Sequence, residues 1–171
     1  MNQSNLVLLV VVIGFCLVAF FIIIDALFKG LVDGTAQSAE ETPGKAFWVG
    51  LVNTVFLIAI AAGLIGLADI SGLGPVLAVP GLALGIFIIA GIVFGLAAMV
   101  RLSATLVFPG KEGWKAIAPA AGILILACLV PYIGWFGLFP YLGLRGFGAF
   151  ILHLMELYRS RRLKKQEASS A

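Results

Sequence analysis

The chain has 171 residues, of which 62% are hydrophobic and only 11% charged. Soluble domains carry about a quarter charged residues, and one of this length leaves too much of its area in water to hide so apolar a composition. The net charge of +3 does not point to nucleic acid, because the basic residues flank apolar runs and five of them cluster near the C-terminus.

A spanning helix needs about 20 mainly apolar residues. Taken in chain order, the first run, Leu6 to Leu27, follows a start (MNQSN) without Lys or Arg. A secretory signal peptide has a basic start and a shorter apolar region, so this run reads as a retained span. The polar stretch GTAQSAEETPG follows, long enough for a short surface helix capped by Thr35 or Ser38, or for a mobile segment. The second span is expected from Phe47 to about Leu67 and the third from about Pro80 to Val100. The connection between them is rich in Gly and Pro, carries Asp69 as its one charge, and is expected to dip into the interface. Ala116 to Tyr158 is too long for one crossing. Pro131, Gly134, Gly137 and Pro140 supply helix breakers, which predicts a fourth span over Ala116–Ile133 and a fifth over Leu138–Tyr158.

The basic residues provide an independent count. Lys29 and Lys45 follow the first run; Arg101, Lys111 and Lys115 follow the third; Arg159, Arg161, Arg162, Lys164 and Lys165 follow the last. The intervening connections hold none. Cytoplasmic loops are enriched in Lys and Arg, so the sequence predicts an all-α membrane protein, a bundle of about five transmembrane helices (four to five) with the N-terminus outside and the C-terminus cytoplasmic. Residues 1–158 form one transmembrane domain and 159–171 a basic tail. That tail is placed to meet anionic lipid at the inner surface, or an acidic partner. Trp48, Trp114, Tyr132, Trp135 and Tyr158 fall near the predicted span ends, where amphipathic rings favour the headgroup level.

Small residues one turn apart let membrane helices approach closely. Gly81 and Gly85, Gly91 and Gly95, and Gly143 and Gly146 have that character, and they serve either packing within this chain or docking of another subunit. Arg145 stands about seven residues into the fifth span, where a cation is costly unless it snorkels or finds a partner. Asp69 is its expected ion-pair partner, at the outer side. Asp25, His153 and Glu156 gather at the inner end as a polar cluster, with Asp25 and Lys29 spaced for an ordinary helix pair. They admit a proton relay, but one histidine in the chain offers little to zinc, haem or a di-iron centre. Cys16 and Cys128 sit in apolar runs without a CxxC pair. With no phosphate loop, nucleophile elbow or HExxH motif, no cofactor and no enzymatic activity are expected. Two functions follow: an accessory or scaffold subunit packing against partner helices or a second copy, or a small transporter or channel component using Arg145 and Asp69 outside and His153 and Glu156 inside.

Val79–Gly81 opens a long apolar span, a basic loop follows, Pro131–Trp135 reads P-x-x-G-W, and Leu142–Ala149 forms a glycine-rich exit. Over residues 45–155 this order resembles the multi-span membrane module found in some bacterial polymer-forming (bactofilin-like) proteins. The resemblance implies a bacterial inner-membrane protein without assigned chemistry. The chain has no β-helical domain, so filament formation does not carry over.

Overall fold

The computed structural model describes residues 3–71, 74–111 and 113–170; the side chains of Asp69, Lys164 and Lys165 lie outside the described set. All regular structure among the described residues is helical: α1 (Gln3–Leu27), α2 (Lys29–Glu41), α3 (Pro43–Ser71), α4 (Gly74–Val107), α5 (Trp114–Leu129), a π-helical turn (Ile133–Leu138) and α6 (Phe139–Ser170). Four segments are long and apolar enough to cross a bilayer: Val7–Leu27, Pro43–Ala68, Val76–Val107 and Ile133–Leu163. The chain is therefore, by composition and helix length, a multi-pass membrane protein. The predicted fourth span corresponds to α5, which at 16 residues is shorter than a crossing.

Several boundaries differ from expectation. The connection expected over residues 68–79 is largely helical, because α3 continues to Ser71 and α4 begins at Gly74. Pro80 lies inside α4 instead of opening it; as the seventh residue of the helix it deprives the Val76 carbonyl of its usual N–H donor. The polar stretch after α1 is a short helix, as expected, with one face packed on the bundle. α2 presents Val32, Thr35, Ala36 and Ala39 as a buried stripe at i, i+3, i+4 and i+7, and turns Gln37, Glu40 and Glu41 outward. Thr35 sits within this stripe, fully buried, and Ser38 bonds back to the Gly34 carbonyl, so neither caps the helix. The basic tail continues α6 as helix.

Three contacts set the helix directions. Gly81 of α4 packs on Ala61, Leu64 and Ile65 of α3, as in an antiparallel hairpin. Gly50 of α3 meets Leu144 while Ala46 meets Gly148, so α3 also runs against α6. Gly95 meets Gly146, and a few residues further on Arg101 and His153 both reach α2, at Asp33 and Gly34. α4 and α6 thus run parallel, and the ends that carry the basic residues lie together. Most of the core sits at this basic end, built from α2, residues 97–104 of α4, the first half of α5 and residues 142–150 of α6. The opposite halves of α1, α3 and α4 remain exposed.

Candidate functional site: a polar clamp around α2

The polar groups of the bundle converge on α2. Arg101, on α4, donates from Nη1 to Asp25 of α1 at 2.5 Å and pairs through Nε with Asp33 of α2. Asp25 is almost buried and Asp33 about half exposed. One guanidinium fork therefore ties three helices together, a task for which its planar set of donors is suited. Helix α1 ends at Leu27, between Asp25 and Lys29, so the helix pair suggested by their spacing is not formed and Asp25 is free to turn to Arg101.

Arg145 completes the clamp from the other side. Its Nη2 donates to the carbonyl of Ala39 at 3.0 Å, and its guanidinium stands over the Tyr141 ring, which stacks on Phe47. The backbone explains why that carbonyl needs a donor. In a continuing helix Ala39 would accept from the residue four places on, but that residue is Pro43, which has no N–H. Ala39 is fully buried, so water cannot substitute. The guanidinium satisfies the orphan carbonyl and also places its charge at the negative end of the α2 dipole. Arg145 is thus partnered at Ala39, and the side chain of Asp69, its expected partner, lies outside the described residues. From Gly50, which packs on α6 next to Arg145, Asp69 lies nineteen residues further along α3, about 28 Å at 1.5 Å per residue. Arg145 reaches toward the basic end instead of snorkelling outward.

His153 lies over Gly34, where any Cβ would collide with the imidazole ring. It is thus a packing group against α2. Glu156, one turn on, is exposed. The expected cluster of Asp25, His153 and Glu156 is not assembled: Asp25 turns to Arg101, and His153 faces a glycine. No three of His, Cys, Asp and Glu converge as metal ligands among the described residues. A small polar cleft of about 160 Å³ lies between Asp33, Gln37, Glu40, Arg101 and Thr105. The larger cavity, about 510 Å³, is walled by apolar groups of α1, α4, α5 and α6.

Of the glycines expected to pack helices, Gly81, Gly91, Gly95 and Gly146 do so, Gly91 receiving the rings of Phe147 and Phe150. Gly85 and Gly143 face open space. Gly50 and Gly34 are equally close contacts that spacing did not single out. In the tail, Arg162 bonds the Tyr158 hydroxyl at 2.6 Å and covers its ring. Arg159 and Arg161 are exposed, and Lys164 and Lys165 fall outside the described side chains.

No protein-family model matches this chain, and neither the curated proteins nor the solved structures provide a match.

The clamp gives a direct expectation for Arg145→Leu. The variant leaves a buried carbonyl unpaired, which costs about 1–3 kcal/mol, and should lower the unfolding temperature in detergent. Arg145→Lys keeps a donor on a long stem and should retain most of the stability. Equal damage from both variants would mean that the Ala39 contact contributes nothing.

Proposed function

We propose that this protein is a non-enzymatic accessory or scaffold subunit of a membrane assembly. It is oriented with its N-terminus outside and its basic end in the cytoplasm, in a bacterial inner membrane. The observation that carries this reading is an outward face on α3. Ala59, Ala62, Gly63 and Gly66 recur at i, i+3, i+4 and i+7 and are exposed, and nothing approaches the positions where side chains at Gly63 and Gly66 would begin. Such a stripe lets a second helix approach to backbone distance. A transporter would keep its intramembrane charges on a hydrated route. Here Arg101 and Arg145 are engaged in holding α2, and the larger cavity is apolar. The exposed basic residues of the tail suit an anionic inner leaflet, each adding about 1 kcal/mol of attraction.

Extraction from the native membrane into nanodiscs, followed by sizing and mass spectrometry, tests the reading. A partner or second copy in fixed ratio, lost from Gly63→Leu while the variant stays monodisperse, supports it. A protein that runs as a single copy without a stoichiometric companion refutes it.

A further inference from the structure

We infer that α5, the π-helical turn and α6 form a re-entrant hairpin. It enters the bilayer from the basic face and returns to it, so that its aromatic turn meets lipid hydrocarbon instead of outer water. This concerns the chain itself and holds whether or not a partner exists.

Depth within the bundle can be read from α1. Its apolar run, Val7–Leu27, has 21 residues, about 32 Å at 1.5 Å per residue, close to the roughly 30 Å of the hydrocarbon core. The helix must use its whole length to cross, which puts Leu17 near the bilayer midplane. Leu17 and Phe21 share one apolar groove with Cys128, Leu129, Trp135 and Phe139. The end of α5, the turn and the start of α6 therefore stand near the level of Leu17. Beyond that level α1 continues with Val7, Leu8, Leu9, Val11, Val12 and Ile13, each about half exposed or more.

The glycine crossings give the same depth by a separate route. From Gly146, which touches Gly95, the start of α6 at Phe139 is seven residues away, about 10 Å. From Gly95 in the same direction α4 runs to Val76, about 28 Å. Asp69, the one charged residue at that end of α3, stands at a similar distance from the crossing. If Asp69 marks the outer water, the turn stops about 18 Å short of it. α6 is long enough to cross, but its residues beyond the crossing extend toward the basic face, not the outer one.

The chemistry of the turn agrees with that depth. Residues 116–144 contain no charged residue and no histidine. Non-helical backbone at membrane depth must find its hydrogen bonds within the protein. Ile133 N–H donates to Pro131 O at 2.9 Å, Gly134 to Val130 O at 2.9 Å and Phe136 to Tyr132 O at 3.0 Å, while Phe139 donates to Gly134 O. Pro131 and Pro140 have no N–H to satisfy. Gly134 lies against the carbonyls of Ala127 and Cys128, so closely that a Cβ would collide, which folds the turn back on α5. Tyr132, Ile133, Trp135 and Phe136 then project outward, each at least two-thirds exposed. Ile133 and Phe136 would be costly in water and are at home in hydrocarbon; the Tyr132 hydroxyl and the Trp135 N–H favour the headgroup level.

Site-directed labelling decides the matter. With Cys16 and Cys128 replaced by alanine, single cysteines are placed at Ile70, Phe136, Gly137 and Ser160. Gly137 has open space where its side chain would start, so that substitution leaves the packing alone. A membrane-impermeant maleimide is applied to each side in turn, then a permeant one after denaturation to prove that every thiol is present. The thiolate needs water to react. Ile70→Cys should label from one side and Ser160→Cys from the other, with Phe136→Cys and Gly137→Cys silent from both until denatured. Labelling of Phe136→Cys or Gly137→Cys from the Ile70 side at a comparable rate would make α6 a full crossing and overturn the inference. Labelling from the Ser160 side would place the turn in a hydrated cavity and overturn it equally.

Discussion

Gly146→Val should abolish the compact bundle, whereas Gly143→Val, one turn away, should leave it nearly unchanged. A Cβ on Gly146 would stand inside the contact distance of the Gly95 backbone, and a Cβ on Gly95 would meet Gly146 and Phe147 backbone in return. Neither neighbour is a side chain that could swing away, so the helices themselves must separate. Membrane helices are held together by close dispersion contact, not by exclusion of water, and separation forfeits that contact along the crossing. Overpacking ordinarily costs about 1–3 kcal/mol, and this case belongs at or above the top of that range. The Gly143 position is open, where a substitution shifts stability by no more than about 0.5 kcal/mol. Thermal unfolding in detergent, followed by size-exclusion recovery, compares the two. If both variants recover equally, the α4–α6 crossing is not at Gly95 and Gly146.

That pair of glycines also marks where sequence reading stops. Gly143 and Gly146 look alike in the pattern LGLRGFG, and only helix rotation separates the one that packs from the one that does not. The spanning character of α1, α3 and α4 was legible because twenty-odd apolar residues have few alternatives in any fold. The basic residues lie toward one end of the bundle, which leaves the count open: three crossings followed by the proposed re-entrant hairpin place Lys and Arg on the same side as five crossings do. The polarity of α2 suggests a short surface helix and conceals its buried face. Its stripe of Val32, Thr35, Ala36 and Ala39 is a helical period, visible in the sequence but easily masked by Asp33, Gln37, Glu40 and Glu41. The Arg145 contact could have been suspected from Pro43, four residues after Ala39, since a missing N–H implies an orphan carbonyl. Which distant donor would fill it could not, because that depends on how α6 crosses α3. Asp25 similarly has Lys29 as its sequence neighbour, yet the helix breaks between them and the partner comes from α4.

Arg101→Leu is expected to be the most damaging single change of charge. It leaves Asp25, with only 11% of its side chain exposed, without a counter-ion. Removing one partner of a buried ion pair costs about 3–5 kcal/mol, because the remaining charge is uncompensated. It also frees α2 from α4, since the same guanidinium holds Asp33. The two carboxylates should respond differently to mutation. Asp33 is 45% exposed, so Asp33→Asn loses a pair largely screened by solvent and should cost under about 1 kcal/mol. Asp25→Asn removes the buried charge itself, so adding it to Arg101→Leu should recover a large part of the lost stability. Arg101→Lys should fall between the extremes, because a single ammonium cannot bridge both carboxylates with the geometry of the guanidinium. Unfolding temperatures in one detergent rank the five variants. Failure of Asp25→Asn to rescue Arg101→Leu would mean that Asp25 is hydrated in the bilayer. Arg101 would then hold the basic end through Asp33 alone, and the depth assigned to the α1–α2 junction would have to move outward toward water.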